Sequence, residues 1–593
     1  MLKSLLRLRP FIAPYRWRLS SGVAAFGLAR LFEGLVPFFL AMGIDRIAAG
    51  NGDVRAPVLG IAAAVAARYV TVTGARYMVR TTGQRVAFDL RQRLYGDLQR
   101  QGARFFNRHS IGDMMTRAVA DISLIQRLIA MGTILIIILA YATLVGFGFM
   151  LYFSPALTLL LLPPMPFIFY NAKRLSRQMG SASMDVQNRL SDLAAQTQEN
   201  LAGIRTIQAM AQEENEIARF AATNESYAGA FYRQAQINSL MTAWMPTLAA
   251  ACSITILGYG GYLVLSGEMT PGALVAFFMY VNMVVQPFRV AGFIVNLVQR
   301  GAVASDRLFE VFDLQAEVPD QPSGTAPAFI KGAIDIRALT LRHDAGREAA
   351  LKDLSLAIHP GEMIAIMGRI GSGKTTLLKT LTRLFDPPPG TVFIDGVDVR
   401  DYPLGQLRAQ VALVPQQAFL FGLPLKDNLS YDDPLRPIDQ VWAAAAAADL
   451  KDTLEEFPEG MDTIVGERGV TLSGGQKQRA TLARGLIREA PVLILDDCFS
   501  SVDTETEERI LNGLKRSRSG RTTVIVSHRV STARHANRIL ILDAGQIVEG
   551  GSHRELIKKD GLYAELERLQ RGGEPISAPF GKPVSAWGTG ASS

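Results

Sequence analysis

"MGRIGSGKTT", Met367–Thr376, decides how the C-terminal half of the chain folds. It matches the spacing G-x-x-x-x-G-K-[ST] with Gly368, Gly373, Lys374 and Thr375. The apolar run "MIAIM" precedes it and the helical stretch "KTTLLKTLTRLF" follows. In that context glycines let backbone N–H groups close around phosphate oxygens at a helix N-terminus. Gly368, Gly371, Ser372, Gly373 and Thr376 then line a phosphate cradle. Lys374 is placed to reach β- and γ-phosphates, and Thr375 to reach Mg²⁺. A plain glycine-rich turn would need neither the strand before it nor the helix after it.

Working outward, short β-rich runs alternate with helical ones from about residue 330: "TVFIDG", "VALVPQ", "VLILDD", "TTVIVSH", "RILILD". That alternation predicts an α/β domain on a largely parallel sheet. Its run "LILDDCFSSVD", Leu493–Asp503, ends in two aspartates, Asp496 and Asp497. Carboxylates at the end of a buried strand commonly hold a metal or steer a water. Asp496 is expected to take the second Mg²⁺-directed role, through water.

The other half reads differently. The chain has 593 residues, too many for one compact domain, and is 49% hydrophobic with 20% charged residues. Six segments approach the roughly 20 apolar residues a bilayer core requires, at about 18–43, 56–78, 128–152, 155–172, 240–265 and 272–297. Loops after the first, third and fifth are short, whereas those after the second and fourth run to about fifty and seventy residues, rich in Arg and Lys. By the positive-inside rule the long loops, both termini and everything after the last span are cytoplasmic. The net charge of +8 is then the basic flank of membrane helices, and no nucleic acid is expected. Cys252 and Cys498 stand far apart in apolar context, which argues against a disulfide or zinc framework.

The expected order is an amphipathic segment along the membrane (1–17), a six-helix all-α transmembrane domain (18–300) with long cytoplasmic helical extensions, and a Pro-rich linker (301–330). An α/β P-loop nucleotide-binding domain (331–572) and a disordered tail (573–593) follow.

Between the P-loop and the paired aspartates lies "TLSGGQKQRATLARGL", Thr471–Leu486. With the phosphate motifs on either side, it closely resembles the signature of ATP-binding cassette transporters. The resemblance spans nearly the whole chain. Six spans, two long cytoplasmic loops and one nucleotide-binding domain look like a half-transporter of the type IV exporter group. Membership implies ATP and Mg²⁺, a lipid bilayer, a second half-transporter, and export of a hydrophobic or amphipathic substrate such as a drug, lipid or peptide. It implies residence in the cell inner membrane. Gln416 in "VPQQAFLF" matches the Q-loop, also a Mg²⁺ position, and "VGERG", Val465–Gly469, matches the X-loop. Ser473, Gly474, Gly475 and Gln476 match the signature, Asp503 the D-loop, and His528 the switch histidine. "NRHSIGDMMTRAVADI" and "ENLAGIRTIQAMAQEE" resemble the two helices that dock onto nucleotide-binding domains.

Two positions depart from the pattern. The adenine-stacking position, usually Tyr, is His343 in "IRALTLRHD", where an exposed turn residue would read the same way. The catalytic carboxylate, normally Glu, is Asp497. One methylene fewer draws the carboxylate back by roughly an ångström, a misplacement that can cost about a hundredfold in rate. In the family this Asp often marks the degenerate-site subunit of an asymmetric heterodimer. That pairing is favoured, with a homodimer of two slow sites as its rival, because His528, Gln416 and the rest remain. An importer on the same fold and a mainly regulatory ATP-binding subunit are the alternative functions. Within the spans, Arg30, Glu33 and Arg68 read as a structural ion pair more readily than as substrate contacts.

Overall fold

The computed structural model describes residues 2–50, 52–161, 164–285, 291–320, 326–342, 348–466 and 472–571. His343, the X-loop residues 467–469, Thr471 and the expected tail lie outside them. The chain divides into two compact units: Met1–Gln99 with His109–Leu314, and Arg100–Arg108 with Gln315–Ser593.

The first unit is helical. It includes α1 (Arg16–Ala48), α2 (Arg55–Gln99), α3 (Thr133–Phe153), α4 (Pro164–Ala202), α5 (Glu213–Thr255), α6 (Pro271–Val285) and α7 (Ala291–Phe312). All six expected spans fall on helix wherever residues are described. The stretches Arg9–Ala48, Arg55–Gln99 and Ile111–Phe153 are long and apolar enough to cross a membrane. In the fourth span the described residues fall on the helix Pro155–Leu161 and on α4. Pro155 opens a helix, where the missing N–H costs nothing.

At 45 residues α2 is about 68 Å long, more than twice the bilayer core. With 39 and 43 residues, α4 and α5 outrun the core as well. These two pair along their polar lengths, through Arg233–Asp185 at 2.9 Å and Gln234 donating to Ser183 at 2.8 Å. At one end of the bundle the Asp45 carboxylate accepts from the Thr270 hydroxyl and the Gly272 N–H, both at 2.7 Å. The short loops after the first and fifth spans therefore share that end.

The N-terminal residues pack on α7. The Ser4 hydroxyl donates to Asp306 at 2.8 Å, the Ser305 hydroxyl donates to the Ser4 carbonyl at 2.9 Å, and Arg7 pairs with Asp313. The helix α7 runs on to Phe312, into the stretch expected as linker. Its buried Ala302, Ala304, Leu308 and Val311 give this extension a core-facing side.

Inside the membrane half, Glu33 pairs with Arg30 on its own helix and with Arg68 of α2 at 3.3 Å. One carboxylate thus separates two guanidiniums in a low-dielectric region. Glu33→Gln removes it and leaves the two cations without their shared counter-ion. A lower melting temperature in detergent is expected, partly restored by adding Arg68→Gln. Unchanged melting with impaired transport would place Glu33 on the substrate path instead.

The second unit carries the strands β1 (Ile334–Leu341), β2 (Leu351–Ile358), β3 (Met363–Gly368), β4 (Val392–Ile394), β5 (Val397–Asp398), β6 (Val411–Val414), β7 (Val492–Asp496), β8 (Thr522–Val526), β9 (Arg538–Asp543) and β10 (Gln546–Gly551). A four-stranded antiparallel sheet has the order β2-β1-β4-β5. A six-stranded sheet has the order β10-β9-β3-β8-β7-β6, parallel throughout except for β10 at its edge. Every residue of β7 and β8 is buried, as expected for strands covered on both faces. The neighbours β3, β8, β7 and β6 release their chains at one carboxyl edge, where ligands bind in open α/β sheets.

Candidate active site

The glycines of the loop after β3 adopt backbones that L-residues rarely reach. Gly368 has φ +149°, Gly371 +84° and Gly373 +103°. A methyl group on Gly368 would lie 2.0 Å from the Leu542 carbonyl oxygen, and one on Gly373 would lie 2.5 Å from that of Ala350. The turn into α8 (Lys374–Leu381) is therefore closed to other residues, and its N–H groups surround a cradle that fits phosphate. Ser372 lies within the turn, and Thr376 is buried in the first turn of α8.

Lys374 is buried, and its ammonium donates to the carbonyls of Gly368 at 2.8 Å and Arg369 at 2.7 Å. Burial draws its pKa down to about 8, against the opposing pull of Asp497 and Asp496. Nucleotide binding should therefore depend on pH. Free Lys374 loses its proton as pH rises through about 8, whereas an ammonium facing phosphates keeps it to higher pH. Between those two values nucleotide binding takes up a proton. The dissociation constant is expected to stay flat below pH 8 and to weaken about tenfold per unit above it. Titration with a fluorescent nucleotide checks this, and a constant that stays flat or tightens at high pH contradicts it.

Asp496 ends β7, buried, and accepts from the Thr375 hydroxyl at 3.4 Å. Burial raises its carboxyl pKa, Thr375 opposes this, and neighbouring Asp497 adds to it. Such a pair of hard oxygen donors suits Mg²⁺. Asp497 follows with φ +46° and donates its N–H to the Val526 carbonyl at 2.9 Å. Its carboxylate accepts from the Gln416 side chain at 3.2 Å. The left-handed backbone is one that Asp tolerates better than longer residues, a local reason for Asp that the sequence does not display. Next door Cys498 is fully enclosed, and burial pushes its thiol up, so it stays protonated.

His528 leaves β8 into the same space. Burial and the Lys374 charge lower its pKa and Asp497 opposes them, so the imidazole is neutral at pH 7. The structure thus brings together Lys374, Thr375, Gln416, Asp496, Asp497 and His528.

Ser473 lies on the N-terminus of α9 (Gly474–Leu486), exposed along with Gly474. It forms a capping box with Gln476: Ser473 N–H donates to Gln476 at 2.9 Å, and Gln476 N–H donates to the Ser473 hydroxyl at 3.3 Å. This satisfies the helix end and leaves its glycines open to a ligand from outside. Asp503 caps α10 (Thr504–Ser517) by accepting from Thr506 N–H at 2.9 Å.

Sequence reasoning missed the side chains that fix these loops. Gln478 donates to the Ser500 hydroxyl at 2.7 Å and accepts from Ser501 N–H at 2.8 Å. The Arg529 guanidinium donates to the carbonyls of Val502 at 3.0 Å and Ser500 at 3.1 Å, and pairs with buried Glu507 at 2.6 Å. Gln478 stands inside the signature stretch and Arg529 directly follows "TTVIVSH", but no spacing rule shows what an interior polar side chain will reach.

Two family models match the chain: the ABC transporter transmembrane region over residues 21–288 and ABC transporter over residues 351–500. The chain is similar to the "Uncharacterized ABC transporter ATP-binding protein YknU" of Bacillus subtilis (strain 168), with 31% identity covering 95% of this chain and 97% of the relative.

This protein belongs to the ABC transporter family. The transporter is also similar to the ATP-dependent lipid A-core flippase of Syntrophus aciditrophicus (strain SB), at 33% identity over 84% of this chain and 83% of the relative. Among solved structures, a bacterial Atm1-family ABC exporter with ATP bound superimposes with a TM-score of 0.75 at 26% identity. That match covers 94% of this transporter and 99% of the exporter. The transporter is therefore a membrane ABC exporter in which an ATPase domain is coupled to transmembrane transport.

Proposed function

We propose that the transporter moves a lipid-like amphipath outward across the bacterial inner membrane, as one half of a dimer. Its partner carries Glu where this chain has Asp497. Both termini and the nucleotide-binding domain face the cytoplasm, as the Arg- and Lys-rich long loops favour. The name of the flippase relative supports the substrate class.

The observation that carries the asymmetric reading is Asp497 itself. Lys374, Thr375, Asp496 and Gln416 are assembled to bind Mg²⁺-ATP, while the carboxylate beside them is one methylene short. Thr375 and Asp496, with Gln416 near, would hold Mg²⁺, which would supply charge neutralisation on the phosphates. Lys374 binds phosphate oxygens, Asp497 and Gln416 orient a water, and neutral His528 offers a hydrogen bond to the γ-phosphate side. Exposed Ser473 and Gly474, with half-buried Gly475 and Gln476, close over the partner's ATP. Binding energy that exists only in the closed dimer shifts the population toward the state releasing substrate outward. The Gln416–Asp497 hydrogen bond keeps a homodimer as the second reading, since it leaves the carboxylate correctly tethered.

The test is reconstitution into lipid vesicles, alone and with a co-expressed partner. A headgroup-labelled lipid should cross to the leaflet opposite the nucleotide domains only with ATP. ATP-driven accumulation of solute toward the nucleotide-domain side would establish import instead.

A further inference from the structure

The C-terminal helix α11 (Leu562–Arg571) reaches the switch histidine from behind. Its buried Tyr563 belongs to the core formed with Ala365 and Met367 of β3 and with Val530 and Ala533, just beyond His528. Near its end the Gln570 side chain makes two hydrogen bonds. Its amide N–H donates to the His528 carbonyl at 2.6 Å, and its amide oxygen accepts from Val530 N–H at 2.8 Å. Strand β8 ends at Val526, so these backbone groups lie beyond its ladder. One amide serves both, as a neighbouring strand would. Its orientation follows from the partners, because a carbonyl needs a donor and an N–H an acceptor.

Between the two clamped groups sits Arg529. Its N–H donates to the Ser527 hydroxyl at 3.0 Å, and its guanidinium holds the Ser500 and Val502 carbonyls ahead of Asp503. The segment 528–530 is thus tied on one side to α11 and on the other to the loop leading into α10.

We propose that Gln570 is a positioning residue for ATP hydrolysis. It fixes the peptides flanking Arg529, and so the aim of the His528 ring. The inference rests on the reading of His528 as a working member of the site. It makes the end of the C-terminal helix part of the hydrolytic apparatus, although α11 supplies no group to the nucleotide.

The test uses the full transporter in lipid vesicles. Gln570→Met keeps side-chain length and removes both hydrogen bonds. Gln570→Glu can still accept from Val530 N–H but repels the His528 carbonyl. A drop of about ten- to a hundredfold in the single-turnover hydrolysis rate at this chain's own site is expected for each, with ATP affinity there within about twofold, as for a misaimed group. Binding of a labelled ATP analogue selects for folded variants. Hydrogen exchange should rise over residues 527–533 and stay unchanged in β7. In a His528→Ala background, Gln570→Met should cost nothing more, because the two act as one unit. An unchanged single-turnover rate at this chain's site in Gln570→Met, or an equal further loss without His528, overturns the proposal. If His528→Ala alone leaves single-turnover hydrolysis at this chain's site intact, the histidine reading fails first and Gln570 loses its role with it.

Discussion

Asp497→Glu is expected to raise ATP turnover at this chain's own site by about a hundredfold, the rate a one-ångström retreat of the carboxylate can cost. The added methylene carries the base outward from where Gln416 now holds the Asp497 carboxylate, toward the place an attacking water would take. A small loss of stability should accompany it, because φ at this position is +46° and Glu accepts a left-handed backbone less readily than Asp. Single-turnover hydrolysis in the assembled dimer measures the gain. Unchanged or slower turnover would show that Asp497 is already correctly placed. The companion variants separate the assemblies. In a heterodimer Asp497→Asn changes steady-state hydrolysis little, whereas Ser473→Ala reduces it strongly. Asp497 serves the ATP on this chain's own loop, and Ser473 serves the partner's. In a homodimer Asp497→Asn abolishes turnover, by the 10²- to 10⁴-fold typical of a lost general base.

Lys374→Ala is expected to weaken nucleotide binding to this domain by about a hundredfold. Hydrogen bonds to charged groups contribute about 1.5–3 kcal/mol, and the ammonium also supplies the point charge that faces the phosphates. The pH dependence above pH 8 should vanish in the same variant, since the titrating group is gone. Equilibrium binding of a fluorescent nucleotide reads both effects. Retained affinity at this site would remove the phosphate role of the loop.

The residues most legible in the sequence were those whose chemistry depends on local spacing. The glycines of Gly368–Gly373 act through backbone angles within one turn, so their pattern survives in one dimension. The first three spans were legible because a bilayer demands length and apolarity. Hidden were features set by distant partners. Gln570 meets His528 across 42 positions, and Arg104 meets Arg342 across 238. The left-handed backbone of Asp497 was equally invisible, since it arises where its N–H turns toward Val526 on the adjacent strand. His343 and part of the X-loop fall outside the described residues, so their roles stand as expectations.

The nine residues Arg100–Arg108 group with the nucleotide-binding half, although the helical unit both precedes and follows them. Arg104 is anchored there twice, by its N–H to Glu317 at 3.2 Å and by its guanidinium to the Arg342 carbonyl at 3.2 Å. The ATPase half is therefore a discontinuous body, with a graft from the N-terminal third of the polypeptide. A polypeptide begun at residue 315 would lack a native component, and a shuffled gene spliced only at that junction would join a foreign graft to a resident ATPase. The heritable unit of this machine is the whole half-transporter.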